Sequence, residues 1–238
     1  MYDSRKTNWL NPYIQYLFDD EIIEYDMKDA GFNIIKQFKL LPSEKIIELE
    51  KMGKGFDRHK AIGILQRDRE FSTRLLDKFA EMRGLFVGYN NLGDNNIIAV
   101  KKDAIFTIGE CKKTKFGGIE FAQKNRYSSY IRFEDNHNIE IYYSNELTDV
   151  KGMSESSLNR HRFYILQFLR EVIAKLEDKN SSVRRDLIKF IMDYKSMTLD
   201  ETYYLEFNNK STDINPVYNY QKVLIPLVQI IEKELRYM

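Results

Sequence analysis

Two carboxylates dominate the chemistry that this sequence offers. Asp103 ends the polar turn between two short β-prone runs, Ile97–Val100 and Ala104–Ile108, and Asp26 ends the upstream run Ile22–Asp26. Branched apolar residues on either side of a polar turn are what a β-hairpin asks for. An acid at the tip of such a hairpin is held rigidly and can face a second acid on a neighbouring strand. Two acids from different strands are the minimum protein contribution for holding paired divalent cations around a phosphate.

Several elements must position that pair. The strand ending at Asp26 leads into a helix-prone stretch through Phe38, closed by Leu41-Pro42. Ser43 reads as the N-cap of a helix to Met52, with Ile46, Ile47 and Leu49 on one face. A further helical run is expected from Arg58 to Met82, carrying Ile62, Leu65, Phe71, Leu75, Leu76 and Phe79 at roughly helical spacing. The hairpin Asn96–Ile108 should then lie in an antiparallel sheet beside the strand ending at Asp26. Residues 119–152 turn strand-like again, with a turn at EDNHN between SSYIRF and IEIYYS. From Ser154 the pattern becomes helical: one amphipathic helix to about Lys179, a second over Val183–Tyr194, and a third beginning near Pro226. Its apolar face over Val223–Tyr237 could dock on a partner. The fold class is therefore α+β, an antiparallel sheet with flanking helices and a helical C-terminal subdomain. The divisions are 1–152, with a short helical insertion at about 43–82, and 153–238.

Composition narrows the class. A chain of 238 residues with 43% hydrophobic and 13% aromatic content can build a real core, and four prolines and eleven glycines argue against disorder. The 37 basic and 36 acidic residues nearly cancel, so any nucleic-acid contact must come from a local basic face. Cys111 is the single cysteine, which excludes an internal disulfide and a cysteine zinc site. No signal-peptide run and no 18-residue apolar stretch occurs, pointing to a cytoplasmic protein away from membranes.

The order of these pieces resembles the palm and thumb of family B DNA polymerases, particularly the compact protein-primed branch. The family's first acidic motif, D-x-x-S-L-Y-P, is occupied by Asp26-Met27-Lys28-Asp29-Ala30-Gly31-Phe32. Its hairpin motif, D-T-D-S, is occupied by Lys101-Lys102-Asp103-Ala104, and its K-x-Y segment by Lys124-Asn125-Arg126-Tyr127. Val150-Lys151-Gly152-Met153 follows as a V-K-G-like element. The resemblance implies nucleotidyl transfer with Mg²⁺ or Mn²⁺ held by Asp26 and Asp103. Lys124 and Arg126 would neutralise phosphates, and Tyr127 would lean on a sugar or base. Arg58, Lys60 and Arg67 would reach the nucleotide triphosphate from a helix. Gly31 stands where the family keeps a tyrosine gate against the ribose 2′-hydroxyl, with Phe32 near enough to restore it. Implied partners are nucleic acid and nucleoside triphosphates, beside other replication, transcription or virion proteins. A chain of this kind encoded by a phage or mobile element would work in the host cytoplasm. Lys101 replaces the first acid of D-T-D, and no fingers motif K-x-x-x-N-S-x-Y-G is present.

Other readings fit the same residues. Asp103 is an ordinary turn residue, Asp26 or Asp29 could cap the following helix, and Lys124, Arg126 and Tyr127 could lie on a solvated strand. Asp94 with Glu110-Cys111-Lys112 matches the D…E-x-K layout of restriction-type nucleases, in which two acids hold Mg²⁺ and the lysine steadies the transition state. A palm that has lost acids can also persist as a nucleic-acid-binding or structural subunit. His59, His137 and His161 have no ligand spacing and are expected to be structural.

Overall fold

The computed structural model describes residues 2–133, 139–151, 162–178, 182–196 and 198. The third C-terminal helix expected near Pro226, the EDNHN turn, Gly152 and Met153, His137 and His161 lie outside them. The protein is α+β, with two antiparallel sheets. By contacts the chain divides into one unit of Met1–Ile14 with Glu21–Arg126, and another of Gln15–Asp20 with Tyr127–Met238.

The first unit holds a six-stranded sheet in the order β1 (Asn8–Leu10), β4 (Ile97–Lys101), β5 (Ala104–Ile108), β3 (Ile22–Met27), β7 (Ile119–Tyr127) and β6 (Lys115–Phe116). The hairpin β4–β5 thus lies directly beside the strand that carries Asp26. Its turn is tighter than the sequence suggests: Lys101 still pairs with Ala104, leaving only Lys102 and Asp103 between the strands. Lys102 takes φ 52°, the positive value that two-residue hairpin turns require at their first central position. Trp9 of β1 is buried opposite Val100, while Tyr13 beyond it is exposed.

Alternation along β3 sends Ile23, Tyr25 and Met27 to one face, where they join Ile105, Ile119 and Phe121 under the helices. These are α1 (Ala30–Phe38), α2 (Ser43–Lys51), α3 (Phe56–Leu65) and α4 (Arg69–Tyr89). Phe86 of α4 anchors the contact, its ring 5.3 Å from Tyr25 and 4.5 Å from Phe121. Ile22, Glu24 and Asp26 take the opposite face.

Two helix boundaries differ from expectation. Ser43 is the first helical residue of α2 rather than its cap, because Pro42 occupies the cap position at φ −55° and ψ 149°. The run from Arg58 to Met82 is two helices. Asp68 breaks it by accepting the Phe71 N–H at 2.9 Å, so α4 begins afresh where hydrophobic periodicity alone ran through.

The second unit carries a four-stranded sheet in the order β10 (Thr148–Lys151), β9 (Ile139–Tyr143), β8 (Ser129–Phe133) and β2 (Tyr16–Leu17). Two helices follow, α5 (Arg162–Glu177) and α6 (Ser182–Lys195), joined by the Lys175–Asp186 ion pair at 2.6 Å.

Candidate functional site

The register between β3 and β5 brings the two acids together. Asp26 lies opposite Ala104, and the Met27 N–H donates to the Asp103 carbonyl at 3.1 Å. Asp103 is therefore next in the chain to Asp26's partner, at the hairpin turn beside the end of β3, and its charge acts on the Asp26 carboxyl. Burial pushes the Asp26 carboxyl above its usual pKa, and the Asp103 charge adds to the push, while Lys124 pulls the other way. The hairpin tip is fixed from behind by Arg83, a fully buried α4 residue whose Nη1 donates to the Lys102 carbonyl at 2.6 Å. The same guanidinium donates to the Ser4 carbonyl at 2.6 Å from Nη2. Neither periodicity nor motif pointed to Arg83.

Polar side chains of β7 pair with acids on and just before β3. Arg126 pairs with Glu21 at 2.5 Å, Asn125 donates to Glu24 Oε2 at 2.6 Å, and the Lys28 N–H meets the Glu120 carbonyl at 2.9 Å. Lys124 Nζ stands 3.4 Å from Glu24 Oε1 and 3.4 Å from Asp26 Oδ2. Burial works against the Lys124 charge, but Glu24 and Asp26 outweigh it and hold the ammonium above its usual pKa. Glu24 was legible in principle: two residues before Asp26 on a strand, it must share Asp26's face.

Asp26 and Asp103 open into a cleft of about 560 Å³, shared with Lys28, Lys54, His59, Gln66, Lys102 and Lys124. Gly31 lines it too, and a Cβ there would come 3.4 Å from Ile62 Cγ2. Phe32 is buried, with the Arg58 guanidinium 4.3 Å from its ring centre, so it cannot swing into the Gly31 gap without leaving the core.

The other basic residues singled out in the sequence are placed elsewhere. Arg58 is buried and paired with Asp29, whose carboxylate has turned to it instead of capping α1. Lys60 and Arg67 are exposed and do not line the cleft; Lys54 and His59 do. His59 Nε2 lies 3.8 Å from Asp29 Oδ1, so this histidine has a place in the cleft wall that ligand spacing did not suggest. Tyr127 is buried with its ring 5.4 Å from Tyr142, unavailable for a sugar or base.

The nuclease residues do not reach this cleft. Asp94 accepts the Tyr2 N–H at 3.0 Å, and β5 ends at Ile108, leaving Glu110 and Lys112 beyond the strand. Between them, Cys111 is buried and donates its N–H to the Tyr25 hydroxyl at 2.8 Å.

Among the described residues no three His, Cys, Asp or Glu side chains converge as a metal cage. The pair Asp26 and Asp103 nevertheless suits Mg²⁺ or Mn²⁺. Such ions bind through one or two carboxylates plus substrate phosphates, and a dication would offset the burial and the Asp103 charge that together raise the Asp26 pKa.

The family described as Bacteriophage PBS1 gene 130 protein matches residues 1–237, and the chain belongs to it. No curated protein matches the chain. No described helix is long and apolar enough to cross a membrane.

Proposed function

We propose that this member of the Bacteriophage PBS1 gene 130 protein family is a divergent polymerase-palm protein that transfers nucleotidyl groups onto a nucleic-acid or protein primer. The placing of Asp26, near the end of β3, and Asp103, in the adjoining hairpin turn, in one cleft lined also by Lys28, Lys54, Lys102 and Lys124 carries the proposal. The chain order adds to it: strand and acid, helical insertion, acid-tipped hairpin, basic strand. When bound, Mg²⁺ or Mn²⁺ would supply Lewis-acid stabilisation of charge on the transferring phosphoryl group. The two acids would hold the ion, and Lys54, Lys102 and Lys124 would neutralise the triphosphate. Gly31 would leave space beside the sugar, so ribonucleotides and deoxyribonucleotides would be poorly discriminated. A cytoplasmic setting in the infected host suits nucleoside triphosphates as substrates.

Incubation of the protein with labelled nucleotides, primer–template and Mn²⁺ tests this. Incorporation should fall at least about a hundredfold in Asp26→Asn and in Asp103→Asn, the scale for losing electrostatic stabilisation of a transition state. DNA cleavage that is lost in Glu110→Ala and kept in Asp26→Ala would replace the proposal with a nuclease. No incorporation and no cation binding would leave a palm serving as a scaffold.

A further inference from the structure

Glu24, buried beside the cleft and linked to it through Lys124, is a carboxylate that the proposed chemistry leaves without a task. It is 1% exposed, and a buried carboxylate on a strand is costly where an apolar residue would pack without penalty. Its oxygens are turned to Asn125 and Lys124, and it does not join Asp26 and Asp103 in a three-carboxylate ligand set among the described residues. What Glu24 holds is the ammonium of Lys124, at the same 3.4 Å that separates that ammonium from Asp26. The Lys124 side chain is half exposed on a flexible stem, so it can shift between the two acids without repacking the core.

We infer that Lys124 is a resident counter-ion of Asp26 that an incoming divalent cation displaces, and that Glu24 is the buried anchor receiving the displaced ammonium. The inference rests on the assignment of Asp26 and Asp103 as cation ligands. A dication at Asp26 repels an ammonium already there, so binding requires Lys124 to give up that contact. Glu24 makes the exchange cheap, because the ammonium keeps a carboxylate partner when it leaves Asp26. Glu24 is then a positioning residue acting through Lys124.

Mn²⁺ binding to the full-length protein, followed by electron paramagnetic resonance with no nucleotide present, tests the exchange. Lys124→Met should bind Mn²⁺ about tenfold more tightly than the wild type, and Lys124→Arg should not. Glu24→Gln should weaken binding about fivefold when Lys124 is present and change it less than twofold in the Lys124→Met background. An equal effect of Glu24→Gln in both backgrounds would overturn the anchor role, because Glu24 would then act on the cation directly. Binding that is lost in Asp26→Asn and indifferent to Lys124→Met would overturn the counter-ion and leave nucleotidyl transfer standing. No binding in any variant would overturn both.

Discussion

Asp26 is disfavoured as an anion in this fold, and that has a measurable sign. Its pKa is raised by burial and by Asp103, so the folded state holds the Asp26 proton more tightly than the unfolded chain does. The associated stability is present below the ordinary carboxylate pKa and is lost as pH rises through the raised value. At pH 7 without divalent cations, Asp26→Asn should therefore melt at a higher temperature than the wild type, with the gap closing in acid. Adding Mn²⁺ should raise the wild-type melting temperature and leave Asp26→Asn unmoved. Scanning calorimetry across pH checks both. At this scale the sequence was only partly informative. Residue type and strand position singled out Asp26 and Asp103, which line one cleft, but whether Arg58 or Tyr127 faced the cleft or the core was decided by packing. Arg58 turned inward because Asp29 and the Phe32 ring offered it a partner and a surface. Nothing in local spacing carries that information.

The hairpin is the element on which the site depends, and its support is distant in sequence. Arg83 on α4 holds the Lys102 carbonyl, and the Lys102 N–H donates to the Thr7 carbonyl beside β1. Removing the guanidinium takes the donor from the partly buried Lys102 and Ser4 carbonyls and leaves a large gap at a fully buried position. Arg83→Met should cost roughly 2–4 kcal/mol in urea denaturation. It should also loosen the tip, seen as faster amide exchange at Lys102. Asp68→Ala, which removes the cap of α4, should cost about 1 kcal/mol and leave the tip's exchange unchanged. The strand–turn–strand pattern was plain from alternation and polarity. The break at Asp68 was signalled by a capping residue just before Arg69-Glu70-Phe71, but a continuous apolar stripe masked it. The edge strands β1, β2 and β6 are two or three residues long, too short for any period to declare them.

As a whole the chain is nearly neutral, so under the proposed function the attraction to nucleic acid would be local, and the cleft lysines would supply it. Binding to a primer–template should weaken with salt in proportion to the few phosphates neutralised. Lys54→Ala should lower the slope of log K against log salt by about one, whereas Arg67→Ala, outside the cleft, should leave it unchanged. Fluorescence anisotropy over a salt series reads this directly. The α+β class was legible from the change of periodicity along the chain. The exchange of Gln15–Asp20 into the second unit was not, because it rests on the pairing of Tyr16 with Ile131 across more than a hundred residues.

The claim that everything else depends on is that Asp26 and Asp103 share a divalent cation. Crystals grown with Mn²⁺ and a non-hydrolysable nucleoside triphosphate, measured at the manganese absorption edge, test it most directly. An anomalous peak within about 2.2 Å of oxygens from both carboxylates, with the triphosphate on Lys54, Lys102 and Lys124, is the predicted result. A cleft without manganese, or manganese bound at Asp94 and Glu110 instead, would contradict the account.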